Sequence, residues 1–141
     1  MEKAVEWYTA AANQGHSDAQ NNLGVFYEKG EGVEKNLEKA VEWFTASANQ
    51  GHSWAQNNLG YCYKNGEGVE KNFEKAVEWY TAAANQGHSR AQYTLGVCYE
   101  KGEGVEKSLE KAVEWYTAAA KQGHSMATKK LELNEKHCCL M

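Results

Sequence analysis

The sequence predicts an all-α protein, a solenoid of 36-residue helix-turn-helix repeats, and three observations favour this fold class. The chain of 141 residues repeats itself, because residues 2–37, 38–73 and 74–109 align without a gap and the first two blocks are identical at 28 of 36 positions. Each block contains two runs of apolar residues at helical spacing. The chain has 13 glycines and no proline, so glycine alone punctuates these helices. Such a period indicates an array in which each unit packs on its neighbours.

The first helix of each unit, helix A, is predicted to begin at a serine and to end at a glycine. In the first copy Ser17 precedes Gln20 by three residues, which is the spacing of a capping box. The helix then carries Leu23 and ends at Gly30. An interior glycine, Gly24, has an equivalent in all three copies although it costs about 1 kcal/mol relative to alanine. We therefore expect a close helix contact at this position.

The second helix, helix B, is predicted to follow the N-cap residue Asn36 and to end at Gly51. Val41 and Phe44 belong to an apolar stripe with the i, i+3, i+4, i+7 spacing of a buried helix face. Trp43 lies on an adjoining stripe, so we expect helix B to be buried on two sides. The linker from A to B reads Gly-Glu-Gly-Val-Glu-Lys, and its valine is expected to fill the gap beneath the turn.

The repeats predict one domain over residues 1–136, followed by a tail at 137–141. We expect a half repeat at 2–15, full repeats at 17–51, 53–87 and 89–123, and a degenerate capping helix at 125–136. In that last helix Glu132 and Glu135 stand where the other copies have glycine and tyrosine. Carboxylates at these positions disfavour the docking of another repeat, as a C-terminal cap requires. The missing helix A before the half repeat is compatible with a longer array.

Two motifs make the repeat specific. The pattern Ala-x-x-x-Leu-Gly-x-x-Tyr-x-x-Gly-x-Gly-Val occurs at 19–33, 55–69 and 91–105, and Lys-Ala-x-x-Trp-aromatic-x-x-(Ala or Ser)-Ala-x-Gln-Gly occurs at 39–51, 75–87 and 111–123. Together they resemble the Sel-one-like repeat family, relatives of the tetratricopeptide repeats. The resemblance implies a right-handed α/α superhelical solenoid that scaffolds protein complexes, with helix A lining the concave side. The family's usual aspartate before helix B is replaced here by Asn36, Asn72 and Ser108, which can also cap a helix.

Composition and targeting signals narrow the class of partner. The chain has 15 Lys+Arg against 19 Asp+Glu, a net charge of −4, so we expect no nucleic-acid partner and no electrostatic binding to anionic lipid. It begins without the apolar segment of a secretory signal, and no apolar run reaches the length of a membrane span. Cys62 and Cys98 lie one repeat apart, too far for a disulfide. We expect reduced thiols and a cytoplasmic protein.

The histidines do not predict a metal site or a catalytic site. His16, His52, His88 and His124 occur once per repeat, so they are expected to lie too far apart to bind one ion and to have structural roles. No nucleophile-elbow, zinc-protease or Cys-x-x-Cys motif occurs. We therefore expect a protein that is not an enzyme and that has no metal or other cofactor.

The binding site is predicted on the one face of helix A whose residues differ between copies. Drift of a solvated surface is the alternative explanation, but drift does not usually place Trp54 where the first copy has Asp18, and Trp, Tyr and Arg are enriched at interface hot spots. We expect a scaffold or adaptor that binds a protein or peptide through this surface. Its predicted residues are Asp18, Asn21, Asn22, Trp54, Asn57, Asn58, Tyr61, Arg90, Tyr93 and Thr94.

The last residues offer an alternative function. Cys138 is fourth from the end and Cys-Cys-Leu-Met fits a prenylation box, which would make the protein a membrane-tethered solenoid regulator of a signalling or quality-control complex. A chance apolar end is the other interpretation. Near-identical repeats can also pair out of register or swap between chains, so a homodimer formed by stacking or swapping is an open alternative.

Overall fold

The protein is described by a computed structural model, which gives the backbone of residues 2–140 and the side chains of residues 3–134. Over this range the chain forms eight α-helices and no strand. The helices are α1 (Glu2–Asn13), α2 (Ser17–Lys29), α3 (Leu37–Asn49), α4 (Ser53–Asn65), α5 (Phe73–Asn85), α6 (Ser89–Lys101), α7 (Leu109–Lys121) and α8 (Ser125–Leu140).

The order of the helices is that of the predicted repeats. Helices α1, α3, α5 and α7 are the B helices, and α2, α4, α6 and α8 are the A helices that alternate with them. Each helix packs on the next one along the chain, and the contacts are most extensive within an A–B pair. The chain is therefore an all-α repeat solenoid. Helix α8 continues to Leu140 and so includes most of the segment 137–141 that the sequence analysis assigned to a tail.

Helix B is buried on two sides, as predicted. Phe44 of α3 is fully buried in a cluster that includes Leu59 of α4. Its neighbour Trp43 packs instead on the preceding cluster, which contains Val5 of α1 and Leu23 of α2. One B helix thus joins two adjacent apolar clusters, which is how a solenoid builds a core from units that cannot fold alone.

The glycine inside helix A allows the closest helix contact of each repeat. A Cβ atom at Gly24 would lie 2.7 Å from the ring of Phe44, and one at Gly60 would lie 3.0 Å from the ring of Tyr80. Gly96 faces Tyr116 in the same way. The prediction of a close contact is confirmed, since any side chain here would have to displace a buried aromatic ring.

The capping residue of helix A differs from the prediction. The N-cap residues are histidines, not serines, and the Nδ1 atoms of His52 and His88 accept hydrogen bonds from the backbone N–H groups of Ala55 and Ala91, each at 3.2 Å. His16 makes no such bond. An imidazole nitrogen can satisfy an orphan N–H as a serine oxygen does, so the capping box predicted at Ser17 was wrong while the structural role of the histidines was right.

The glutamine assigned to that capping box connects adjacent repeats instead. The Nε2 atom of Gln56 donates to the carbonyl oxygen of Ala48 at 3.2 Å, and its Oε1 atom accepts a hydrogen bond of 2.8 Å from Gln86 in the next B segment. Gln20 and Gln92 repeat the arrangement in the other units. This glutamine ladder pairs buried polar groups across every interface between full repeats.

Candidate functional site

The predicted binding face is a surface shared by α2, α4 and α6. Trp54 is 50% exposed and Tyr61 is 48% exposed, and both are held on α4. Arg90 is exposed on α6, where Tyr93 is partly buried. The helices that carry these side chains are fixed from beneath by fully buried leucines such as Leu59. The face is therefore presented by rigid elements.

One predicted residue of this face does not contribute exposed surface. Asn21 is only 8% exposed, and its Oδ1 atom accepts a hydrogen bond of 3.0 Å from Nδ2 of Asn58. Asn21 was expected at the surface because it lies on the variable side of helix A. The next repeat covers it, so Asn21 joins two repeats and its assignment as a contact residue is corrected.

Two cavities lie along this face and share three of the predicted residues. The larger, of about 370 Å³, and the smaller, of about 330 Å³, are both lined by Asn57, Tyr61 and Arg90. Tyr93, Thr94, Tyr80, His124 and Met126 complete the larger one. Asn58, Glu28, Lys29 and Glu67 complete the smaller one. The three shared side chains place the two cavities next to each other. We call these cavities, together with the exposed Trp54 on the same face of α4, the helix A groove.

The two cavities of the groove differ in charge. The smaller one has two carboxylates, and burial, followed by the nearby charge of Glu67, raises the pKa of Glu28 above its ordinary value. No acidic side chain lines the larger cavity. Among the side chains that the structure describes, Arg90 forms no ion pair. Arg90 therefore lies between a cavity of mixed charge and a cavity without acidic side chains.

Three of the capping histidines, His52, His88 and His124, contact the variable face, which the sequence analysis did not foresee. The Nε2 atom of His52 lies 2.7 Å from Oδ1 of Asp18. Because Nδ1 accepts the capping bond, Nε2 carries the proton and donates to this carboxylate. At the equivalent place Trp54 meets His88, and the Nε2 atom of His88 is buried without a hydrogen-bond partner. The only trace of these contacts in the sequence is a common spacing. Asp18 lies 34 residues before His52, and Trp54 lies 34 residues before His88.

Tyr93 is anchored more firmly than its place on a variable face suggests. Its ring stacks on that of His124, with 4.8 Å between centroids and 17° between planes. It also lies 5.7 Å from the ring of Tyr116, whose hydroxyl donates a hydrogen bond of 2.6 Å to Glu100. Tyr93 thus forms a fixed wall of the groove. Thr94 is partly buried and lines the larger cavity with it. Asn22 of α2 is partly buried and lines neither cavity.

The cysteines and the possible metal ligands in the sequence form no site comparable to the groove among the described side chains. Cys62 and Cys98 are free, as predicted, and both are buried. Burial raises the pKa of the Cys62 thiol to about 12. In residues 3–134 no three His, Cys, Asp or Glu side chains come together as metal ligands. Within residues 2–140 no helix has the length and apolar character needed to cross a bilayer. Cys138 lies outside the described side chains, so its prenylation stays a prediction.

A second exposed aromatic lies on α1, away from the groove. Trp7 is 81% exposed and borders a cavity of about 430 Å³ that Ala10, Ala11 and Gln14 also line. Its equivalents Trp43, Trp79 and Trp115 pack against the preceding apolar clusters. The sequence analysis did not single out this surface, because Trp7 is identical in type to the packed tryptophans.

Comparison with known families and structures identifies the repeat. The profile of the Sel1 repeat matches residues 1–16, 17–52, 55–88 and 89–124. No curated protein has a significantly similar sequence.

Three solved structures illustrate the likeness. A Sel1 repeat protein from Oxalobacter formigenes is 42% identical with a TM-score of 0.84, and the match covers 89% of this chain and 52% of that one. The protective antigen c5321 of uropathogenic Escherichia coli, which displays an SLR fold, is 38% identical with a TM-score of 0.88. The match covers 89% of this chain and 27% of that one. Helicobacter pylori cysteine rich protein B shares the fold at 22% identity and a TM-score of 0.71, and the match covers 90% of this chain and 91% of that one. The chain thus spans about half and about a quarter of the first two proteins.

Proposed function

Because the chain belongs to the Sel1 repeat family, we propose that it is a non-catalytic scaffold or adaptor that binds a polypeptide partner in the helix A groove. Sel1 repeat proteins generally mediate protein–protein interactions. The observation that carries the proposal is that Trp54, Tyr61 and Arg90, three residues of the types enriched at hot spots, are all exposed on helices α4 and α6, and that Tyr61 and Arg90 line the same cavities.

The energetics of the groove suit such a role. An aromatic side chain buries 150–250 Å² when fully covered, so a half-exposed Trp54 leaves about 100 Å² to be covered, which corresponds to about 2–3 kcal/mol. Tyr61 offers a similar area on the same helix face. The amide groups of Asn57 and Asn58 beside them can hydrogen-bond a partner's backbone. The groove therefore combines apolar anchors with polar groups, as interface cores do.

The test compares two tryptophans that are both exposed but lie on different surfaces. Wild type, the Trp54→Ala/Arg90→Ala variant and the Trp7→Ala variant are used to capture proteins from a native lysate, and each captured protein is then purified and titrated against all three. We expect the groove variant to lose binding by at least about tenfold while Trp7→Ala binds as wild type does. Equal binding by all three, or a loss in Trp7→Ala alone, would reject the groove as the partner site.

Folding has to be checked separately, because Trp54 also covers His88. Circular dichroism and thermal unfolding of each variant show whether the fold is retained. We expect a small drop in the melting temperature for the groove variant, since the buried edge of the Trp54 ring is lost. A large drop would assign Trp54 to the core. In that case the single variant Arg90→Gln, which removes the charge of an exposed side chain, tests binding in the groove without disturbing the core.

A further inference from the structure

The larger cavity of the helix A groove is bordered by one arginine and by no carboxylate, whereas the smaller cavity, which the same arginine also borders, has two carboxylates. Arg90 borders this cavity together with Tyr61, Tyr93 and Met126, and none of its lining residues is acidic. The carboxylates of the smaller cavity, Glu28 and Glu67, form no salt bridge with Arg90. The guanidinium group of Arg90 forms no salt bridge with a described side chain, so its fork of donors is available for a charge-assisted hydrogen bond.

The position of Arg90 in its helix adds to this imbalance. Arg90 is the second residue of α6, where the helix dipole already favours negative charge. The first repeat has Asp18 at the same place in α2, the sign that the dipole prefers. Arg90 also contributes to lowering the pKa of His88, after the larger effect of burial. The charge of Arg90 and the positive end of the α6 dipole thus lie side by side at this end of the groove.

We propose that the larger cavity binds a carboxylate of the partner polypeptide through Arg90, with an adjacent apolar or aromatic side chain of the partner packed on Tyr61 and Tyr93. The inference rests on the proposed function, because it names the chemistry of the segment that the groove accepts. The carboxylate is a glutamate or aspartate side chain or a chain terminus. Charge complementarity selects this occupant, since the larger cavity has a cationic side chain and no acidic one, and three tyrosines and a methionine line it as well.

The test uses random peptide libraries, since no partner sequence is assumed. Wild type, Arg90→Gln, Arg90→Glu and Lys121→Gln are each panned against one library with amidated C-termini and one with free C-termini. The Lys121→Gln control removes the same charge from an exposed residue of α7 that lines neither cavity. Peptides enriched by the wild-type protein are then synthesised, each beside a copy with the acidic residue replaced by its amide. They are titrated against wild type, Arg90→Gln and Trp54→Ala.

We expect wild type and Lys121→Gln to enrich Asp or Glu next to an aromatic or apolar residue. Replacing the acid by its amide should weaken binding about tenfold, the effect of losing a charge-assisted hydrogen bond, and rising salt should weaken the acidic peptide more than its amide copy. Arg90→Glu should enrich Lys or Arg instead. Enrichment confined to the free C-terminus library would identify a terminal carboxylate, and enrichment in both libraries a side chain.

The outcomes also separate this inference from the proposed function. Peptides that need Trp54 for binding but contain no acidic residue, or that bind Arg90→Gln as they bind wild type, would overturn the carboxylate inference and leave the groove as a binding site. Peptides that bind Trp54→Ala undiminished, or the absence of any enriched peptide, would overturn both.

Discussion

The indole of Trp54 and the imidazole of His88 meet edge to face, with 4.4 Å between ring centroids and 84° between ring planes. Trp54 belongs to the exposed face of α4, whereas His88 is 9% exposed and caps α6. One ring pair thus links the groove to the N-terminus of α6, the next A helix. The pair also buries the Nε2 donor of His88 without a hydrogen-bond acceptor, which makes this cap sensitive to protonation.

Acidification should destabilise the fold through His88. Burial, with the charge of Arg90 as a smaller cause, lowers the pKa of His88 below its ordinary value of 6.5. Between the folded and unfolded pKa values the unfolded chain binds more protons, so stability falls as the pH drops through 6.5 and levels off below the folded pKa. His88→Asn keeps a capping acceptor but does not titrate. Urea unfolding from about pH 8 to pH 5 should show a smaller loss of stability in this variant, and parallel losses would contradict the assignment.

Replacing the interior glycine of helix A should destabilise the protein, although alanine is the better helix former. In Gly24→Ala the new methyl group would lie 2.7 Å from the Phe44 ring, so the ring must shift. Overpacking of this kind costs about 1–3 kcal/mol, against a gain in helix propensity of about 1 kcal/mol. Gly60→Ala is the matched control, because its contact with Tyr80 is 3.0 Å and the loss should be smaller. A rise in the midpoint of urea unfolding for Gly24→Ala would contradict this geometry.

The glutamine ladder should contribute to coupling between repeats. Gln56→Leu removes one hydrogen bond to the Ala48 carbonyl and one from Gln86, although each partner keeps another bond to Gly51. The loss is therefore the net value of the two bonds, about 1 kcal/mol each. We expect a lower unfolding midpoint and a broader transition, since weaker interfaces let repeats unfold independently. Gln14→Leu changes the exposed glutamine at the end of α1 and should leave both unchanged. A sharp two-state transition of normal midpoint in Gln56→Leu would show that the ladder contributes little.

Thiol labelling reports on local opening of the same interfaces. Cys62 is 2% exposed and its pKa is raised to about 12, chiefly by burial, so the native protein holds almost no reactive thiolate at this site. Labelling of Cys62 and Cys98 by a thiol reagent at neutral pH should be slow and should accelerate in denaturant, with Cys62→Ser and Cys98→Ser variants assigning each signal. Labelling of Cys62 at the rate of a free cysteine in native buffer would show that α4 opens readily.

The elements of the fold were predictable because each constraint occurs three times in the sequence. Gly24, Gly60 and Gly96 would be unremarkable singly, but their recurrence inside a helix signals a packing requirement. The capping residue was predicted one position late, since a serine followed by glutamine fits a capping box and an imidazole is a less common cap. Whether the histidine or the following serine caps the helix is decided by side-chain hydrogen bonds, which the sequence pattern does not reveal.

The groove was only partly predictable for a different reason. Helical periodicity gives the side of one helix on which Asn21, Trp54 or Tyr61 lies, but contact between neighbouring A helices depends on the angle at which repeats stack. That angle buries Asn21 beneath Asn58 and leaves Tyr61 exposed between two cavities. Three predicted residues were brought together in both cavities, whereas Asp18 was drawn toward His52.

The equivalence of the repeat interfaces has a genetic consequence. Because α3 meets α4 through the same kinds of contact as α5 meets α6, removing residues 38–73 would join two surfaces that already fit each other. Unequal crossing-over between such similar coding segments would then yield chains that fold, one repeat longer or shorter. The deletion would remove Trp54 and Tyr61 and keep Arg90, so one such event would change several side chains of the groove at once.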